Sequence, residues 1–283
     1  MVSKVDLHMH STVSDGRLSP AELVRKSAEL GLEVIALADH DTVGGIASAL
    51  EAAEDFPRLK VIPCIEISTD VSGGEAHVLG YFIDYTDPKL LEKLERMRNS
   101  RRERAKKMVA KLSNLGINIE WQQVQELAGA GSMGRPHVAQ AMLEKGYITS
   151  IKEAFTNYIS REGPAYAERE KMTPSEAVDM ILQAKGLPVL AHPFTLNDPE
   201  AMISKLKTDG MVGIEAYYGD YTTDKVSQLV GLARKYNLIA TGGSDYHGVG
   251  LGSETMLGGA DVPDESAEQL IALAKQRGRE LNS

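Results

Sequence analysis

The chain has 283 residues, 42% of them hydrophobic, enough to bury one large core or a core with a small appended domain. Its formal net charge of −9 excludes wholesale binding along a nucleic-acid backbone, which needs accumulated Lys and Arg, and leaves room for a small or short anionic substrate met by local positive charge. No run of about 18 apolar residues occurs, Met1-Val2-Ser3-Lys4 leads straight into a strand pattern, and Cys64 is the only cysteine, so a membrane span, a signal peptide, a disulfide and a multi-thiolate zinc site are all excluded and a cytoplasmic protein is expected.

In chain order, Lys4 to Leu7 reads as a strand. Ser19-Pro20-Ala21-Glu22 opens a helix with a capping box, and Gly31 ends it. A strand at 33–37, a helix at 43–54, a strand at 60–66 and a strand at 76–83 follow. From about 88 to 170 the patterns are helical only. Asp87-Pro88 starts a long helix reaching Leu115, and shorter helices are expected at 120–128, 136–145 and 150–159. Thr173, with Glu176 completing a capping box, opens a helix at 174–185. Strands at 187–191, 211–216 and 238–242 follow, with helices at 223–236 and 264–277. Strand–helix alternation argues for a parallel α/β sheet or barrel. We therefore expect a catalytic domain built from 1–87 and 171–283, interrupted by a helical insertion at 88–170.

Six of the seven histidines fall at or near the C-terminal ends of these strands: His8, His10, His40, His77, His192 and His247. Barrel and open-sheet enzymes place their chemistry there. Side chains at i and i+2 of a strand share a face, so His8 and His10 can grip one ion, and Asp245 can approach the same cavity as His247. Glu66, ending Val61-Ile62-Pro63-Cys64-Ile65-Glu66, is placed to bridge two ions. A cluster of this composition marks a metal or catalytic centre.

Five motifs in order make the pattern specific: Asp6-Leu7-His8-Met9-His10-Ser11, Ala38-Asp39-His40-Asp41-Thr42, Pro63-Cys64-Ile65-Glu66-Ile67-Ser68, Ala191-His192-Pro193 and Gly243-Ser244-Asp245-Tyr246-His247. Together they resemble the PHP (polymerase and histidinol phosphatase) family across the chain outside the insertion. The resemblance implies a distorted seven-stranded (β/α) TIM-like barrel and a metal-dependent phosphoesterase with two or three divalent ions. It implies one ion on His8, His10, Glu66 and Asp245, a second on Asp15, His40 and His247, and a third on Glu66, His77 and His192. Asp15 stands where several members carry histidine, and a carboxylate there favours Mn²⁺, Mg²⁺ or Fe²⁺ while still letting Zn²⁺ compete. Two close divalent ions suit phosphoester hydrolysis by activating a bridging water and neutralising phosphoryl charge. For His192 and His77, ligation of a third ion, holding the substrate phosphate and protonating the leaving group are all open.

Within the long helix, an apolar stripe through Leu90, Leu94, Met97, Met108, Leu112 and Leu115 includes Arg101 and Arg104 at interior-facing positions. Arg98 to Lys107 holds six basic residues and one acid, so inward arginines need partners from elsewhere. Gly134-Arg135-Pro136-His137 places Arg135 and His137 at a helix start, whose free N–H groups attract anions. Arg101, Arg104, Arg135 and His137 are therefore candidates for holding a phosphate other than the one cleaved. The insertion resembles the branch of the family acting on nucleoside 3′,5′-bisphosphates or trimming short RNA from its 5′ end. A histidinol-phosphate-type phosphatase and a non-catalytic metal-binding accessory module are the alternatives.

Overall fold

The first half of the chain alternates β1 (Val5–Met9), α1 (Pro20–Glu29), β2 (Val34–Leu37), α2 (Ile46–Ala53) and β3 (Lys60–Pro63), then forms a hairpin of β4 (Glu66–Val71) and β5 (Gly74–Tyr81). Helices α3 (Pro88–Asn114), α4 (Trp121–Ala128), α5 (Arg135–Glu144) and α6 (Ile151–Ala154) follow. Alternation resumes with α7 (Pro174–Gln183), β6 (Leu187–Leu190), α8 (Pro199–Thr208), β7 (Gly213–Tyr218), α9 (Thr223–Lys235), β8 (Ile239–Gly243) and α10 (Asp264–Gln276). This computed structural model describes residues 4–72, 74–129, 131–170, 172–248 and 255–279. Met1 to Ser3, which the expectation of no signal peptide uses, lie outside them. Among the described residues no helix is long and apolar enough to cross a membrane.

The helix starts follow from local chemistry. Ser19 and Thr173 each accept the backbone N–H three residues on, while Glu22 and Glu176 reach back to complete the capping boxes. Asp87 accepts from Leu90 N–H, with Pro88 in the first turn. Three expectations change. Helix α2 begins at Ile46, later than residue 43. The 150–159 helix is α-helical only to Ala154 and then widens into a π turn over Phe155–Ile159. Helix α8 was not expected, although Asp198-Pro199 repeats the Asp-Pro start seen at α3.

The expected strand at 60–66 is divided. Cys64 and Ile65 break it, so Glu66 begins β4 instead of ending β3. β4 and β5 pair antiparallel, with Ser68 opposite His77. The described residues form eight strands, arranged as a parallel sheet β1-β2-β3 and a mixed sheet β4-β5-β6-β7-β8. Bridges at His40–Glu66 and Met9–Tyr246 tie the sheets at two places. At the second junction β8 lies directly on β1: a Cβ on Gly243 would stand 2.4 Å from His8 N, so only glycine fits.

Apolar residues fill the spaces between these layers. Val5, Leu7, Ala36, Ile62, Leu79, Tyr81, Leu187 and Val189 pack with Leu270 and Ala274 of α10. The first turns of α3, through Leu90, Leu94 and Met97, join a cluster with α7, α8 and α9. Beyond Arg104 the same helix joins a separate cluster with α4, α5 and α6 that includes Met108, Leu112, Val124, Val138 and Met142. Arg101 and Arg104 are buried between these clusters, as the stripe requires, whereas Leu115 caps the helix and is exposed.

Candidate metal centre

At the C-terminal ends of the buried strands, histidines and carboxylates converge. His8 and His10 alternate along the end of β1, His40 follows β2, His192 follows β6, and Asp245 and His247 follow β8. Because β5 runs antiparallel to β6, His77 in its first half arrives at the same end, beside Glu66. Asp41, His192 and Asp245 have positive φ of 51°, 27° and 53°. Such strained backbone at non-glycine residues clusters where side chains must be aimed into a site.

The first expected ligand set meets closely. His8 Nε2 lies 3.2 Å from His10 Nε2, 3.3 Å from Asp245 Oδ1 and 3.4 Å from Glu66 Oε2, and His10 Nε2 lies 3.1 Å and 3.3 Å from the same two oxygens. Ligands about 2.0–2.1 Å from one ion are separated by roughly 3.0 Å in octahedral and 3.4 Å in tetrahedral geometry. The second set is looser: His247 Nε2 is 3.4 Å and His40 Nε2 is 3.8 Å from Asp15, and His10 Nδ1 faces Asp15 at 3.9 Å. The third set gathers around Glu66, with His40 beside it. Glu66 groups with His77 (2.8 Å) and with His40 through Nδ1 (2.9 Å). His192 Nε2 reaches Glu66 Oε1 at 3.1 Å but is not in that compact group.

Three buried atoms here, Glu66 Oε2, Asp15 Oδ1 and His40 Nδ1, have no hydrogen-bond partner of good geometry among the described residues, although the first and last approach each other to 2.9 Å. Buried polar atoms are normally satisfied, so these donor sets fit divalent cations. The charge field agrees. Burial alone would lower the histidines, yet the carboxylates of Glu215, Asp245 and Glu66 hold His8 well above its ordinary range, and Asp245 and Glu66 push His10 up to about 10. Against burial, the surrounding imidazoles hold Glu66, Asp15 and Asp245 far below theirs. His77 is lowered, mainly by burial.

Several braces were missed. Glu215 is fully buried on β7; its Oε1 stands 2.9 Å from His8 Nδ1 and its Oε2 accepts from His192 N–H at 2.8 Å. A carboxylate only accepts here, so it fixes the Nδ1–H tautomer and leaves His8 Nε2 free to ligate. Tyr218 donates to Asp245 Oδ2 at 2.8 Å. Asp39 receives Ser11 N–H, Ser11 Oγ and Ser14 Oγ, and Asp6 receives Ser244 N–H and Oγ and Gly258 N–H. The signal for Glu215 was a lone acid in the apolar strand Gly-Ile-Glu-Ala.

The basic elements converge on the β4–β5 hairpin beside this centre. Arg101 is engaged by Asp41 at 2.5 Å and by Ser68 Oγ at 2.6 Å. Arg135 holds Glu75 Oε2 at 2.6 Å, whereas Arg104 Nη1 is 3.9 Å from Glu75 Oε1 and has no hydrogen-bond partner among the described residues. Burial and the charges of Arg101, Arg135 and Arg169 pull Arg104 down to about 9. His137 is buried and accepts from Gly134 N–H through Nδ1 at 3.0 Å, so its ring closes the start of α5. Arg169, Glu75 and Asp41 were not foreseen in this cluster.

A PHP domain model matches residues 6–158. A 5′-3′ exoribonuclease of Haemophilus influenzae is 34% identical over 251 residues, covering 87% of this chain and 91% of its own. A 3′,5′-nucleoside bisphosphate phosphatase of Chromobacterium violaceum is 30% identical over 274 residues, 93% of each chain. A solved structure from Bifidobacterium adolescentis, classed as a metal-dependent phosphoesterase, superposes with a TM-score of 0.87 at 28% identity, covering 98% of this chain and 97% of that one. Taken with the convergent ligand sets, these matches establish that the chain belongs to the PHP domain family, as a metal-dependent phosphoesterase.

Proposed function

We propose that this protein hydrolyses the 3′-phosphate of nucleoside 3′,5′-bisphosphates. The observation that carries the reading is the buried Arg104, whose Nη1 has no hydrogen-bond partner among the described residues and lies 3.9 Å from Glu75, which stands beside Arg135 on the hairpin that carries Glu66 and His77. A buried guanidinium with only a distant, shared counter-ion is costly, and a second phosphate on the substrate would satisfy it. Divalent ions held by His8, His10, Asp15, His40, Glu66, His77, Asp245 and His247 would supply Lewis acidity and a nucleophilic water at neutral pH. Asp245 is steadied by Tyr218 and His8 by Glu215, so both present fixed atoms to the reacting phosphate. His192, with its backbone N–H pinned by Glu215, holds Nε2 3.1 Å from Glu66 Oε1 and would protonate the leaving oxygen. Arg104, Arg135 and, at their back, Arg101 would orient the remote phosphate.

The exoribonuclease relative supports a second reading, removal of nucleotides from the 5′ end of short RNA, with the terminal phosphate in the same arginine cluster. The protein would then also cleave a diester. A side-by-side assay of a nucleoside bisphosphate, a 5′-phosphorylated trinucleotide and histidinol phosphate, each with Mn²⁺, Mg²⁺ and Zn²⁺, separates these. Fastest turnover of histidinol phosphate would overturn both.

A further inference from the structure

Four guanidiniums, Arg101, Arg104, Arg135 and Arg169, surround the β4–β5 hairpin, and three carboxylates meet them. Asp41 is taken by Arg101. Asp70 is shared by Arg161 at 2.8 Å and Arg169 at 3.2 Å. Glu75 alone serves both Arg135 and Arg104, closely with the first and beyond hydrogen-bond reach of the second. Arg104 Nη1 and Arg169 Nε, and on the acid side Asp70 Oδ2, are left buried without a hydrogen-bond partner among the described residues, two donors against one acceptor. The chain's own acids therefore satisfy this cluster incompletely. The side chain of Glu75 is 23% exposed and that of Arg135 17%, against 4% for Arg104 and Arg169, so the carboxylate stands at the solvent side with the unmet donors behind it. Two residues along the strand, on the same face, His77 enters the metal centre.

We propose that Glu75 is a specificity-determining residue: its carboxylate holds the seat of the remote phosphate in the free protein and yields it only to a group carrying two negative charges. This rests on the two-phosphate reading above. A phosphodiester carries one negative charge and merely replaces the one Glu75 already supplies. A terminal phosphate, with a second pKa near 6, carries close to two at pH 8 and brings the additional charge that Arg104 lacks. Its three acceptor oxygens can also reach donors that one carboxylate cannot serve together. The protein should thus accept molecules by a free phosphate end and reject internal diester positions at this subsite.

Calorimetric titration at pH 8 of the metal-loaded protein with adenosine 5′-monophosphate and with its 5′-methyl ester tests this. Wild type should bind the monophosphate at least about 10-fold more tightly than the ester. Glu75→Gln should tighten both by about 10-fold, lifting the ester to the wild-type level for the monophosphate. Equal binding of the two ligands by wild type overturns the proposal, and that comparison needs no variant to fold. So does a Glu75→Gln protein, folded by its melting curve, that binds both as wild type does. Arg104→Met separates the two readings. If monophosphate binding needs Arg104 but is indifferent to Glu75, only the present proposal falls. If it is indifferent to Arg104 as well, or absent throughout, the two-phosphate reading falls with it.

Discussion

Around Glu66 the carboxylate oxygens Glu66 Oε2 and Asp15 Oδ1 are buried with no hydrogen-bond partner among the described residues. Around Glu75 the balance shifts to donors: Arg104 Nη1 and Arg169 Nε are left over there, with Asp70 Oδ2 as the one acceptor among the described residues. The first region suits cations and the second an anion, and His77 and Glu75, two residues apart on β5, join them. Both are places where folding stops short of satisfying its own polar groups, and such groups are retained where a ligand completes them. A molecule with one phosphate on each side would answer both deficits.

The comparison breaks most simply at the metal centre. His8→Ala or Asp245→Ala removes one corner of a set whose atoms lie 3.1–3.4 Å apart, so turnover of every substrate should fall to background with the fold intact. Metal analysis of the wild type under saturating Mn²⁺ accompanies that test; less than one ion per chain would remove the basis for calling the region suited to cations.

Arg104→Met should act on the other region alone. We expect a loss of about 10- to 100-fold in kcat/KM on a nucleoside bisphosphate and little change on p-nitrophenyl phosphate, which has no second phosphate. Because the guanidinium is buried with only a distant, shared carboxylate, the same variant should melt higher, by roughly 2–4 °C for each 1 kcal/mol relieved. Equal losses on both substrates, or a lower melting temperature, would mean that Arg104 serves the chemistry or the fold.

Glu215→Gln tests whether the metal side depends on its braces. With the His8 tautomer no longer fixed, affinity for Mn²⁺ should weaken about 10- to 100-fold in a direct titration. Unchanged affinity would leave Glu215 a structural group only.

A pH series gives a smaller effect. His10 is raised from 6.5 to about 10 by Asp245 and Glu66, against the opposing effect of burial. In metal-free protein its ion pairs should therefore stabilise fully below about pH 6.5 and lose that contribution as pH rises towards 10. Metal-loaded protein, whose imidazoles are neutral ligands, should show a flatter profile in the same melting experiment. The smallest expected change is at Asp15. Asp15→His should move the preferred ion from Mn²⁺ or Mg²⁺ towards Zn²⁺, read as relative activities, and an unaltered ranking would return Asp15 to capping its turn.

What was legible and what was not divides along the same line. The centre's ligands sit in short motifs whose geometry is local: the i, i+2 alternation of His8 and His10, and single histidines just past strands bounded by turns. Capping boxes at Ser19 and Thr173 likewise set helix starts within four residues. The split of residues 60–66 was marked only by Pro63, where β3 ends, because the apolar residues on either side of it read the same whether they form one strand or two. The arginine stripe showed that Arg101 and Arg104 face inward, but not what they meet.

The sequence by itself determined that this chain alternates strands and helices, gathers histidines and carboxylates at the strand ends, and buries two arginines on a long helix. Only the tertiary structure decided that Arg101 is met closely by Asp41, 60 residues away, while Arg104 Nη1 stands 3.9 Å from Glu75. It also decided that Glu215 fixes His8 across 207 residues, that His77 and His192 share Glu66 Oε1 while His40 reaches Oε2, and that Glu75 faces Arg135. Those outcomes depend on which strands become neighbours, and periodicity reports the face a side chain takes without reporting its partner across the fold.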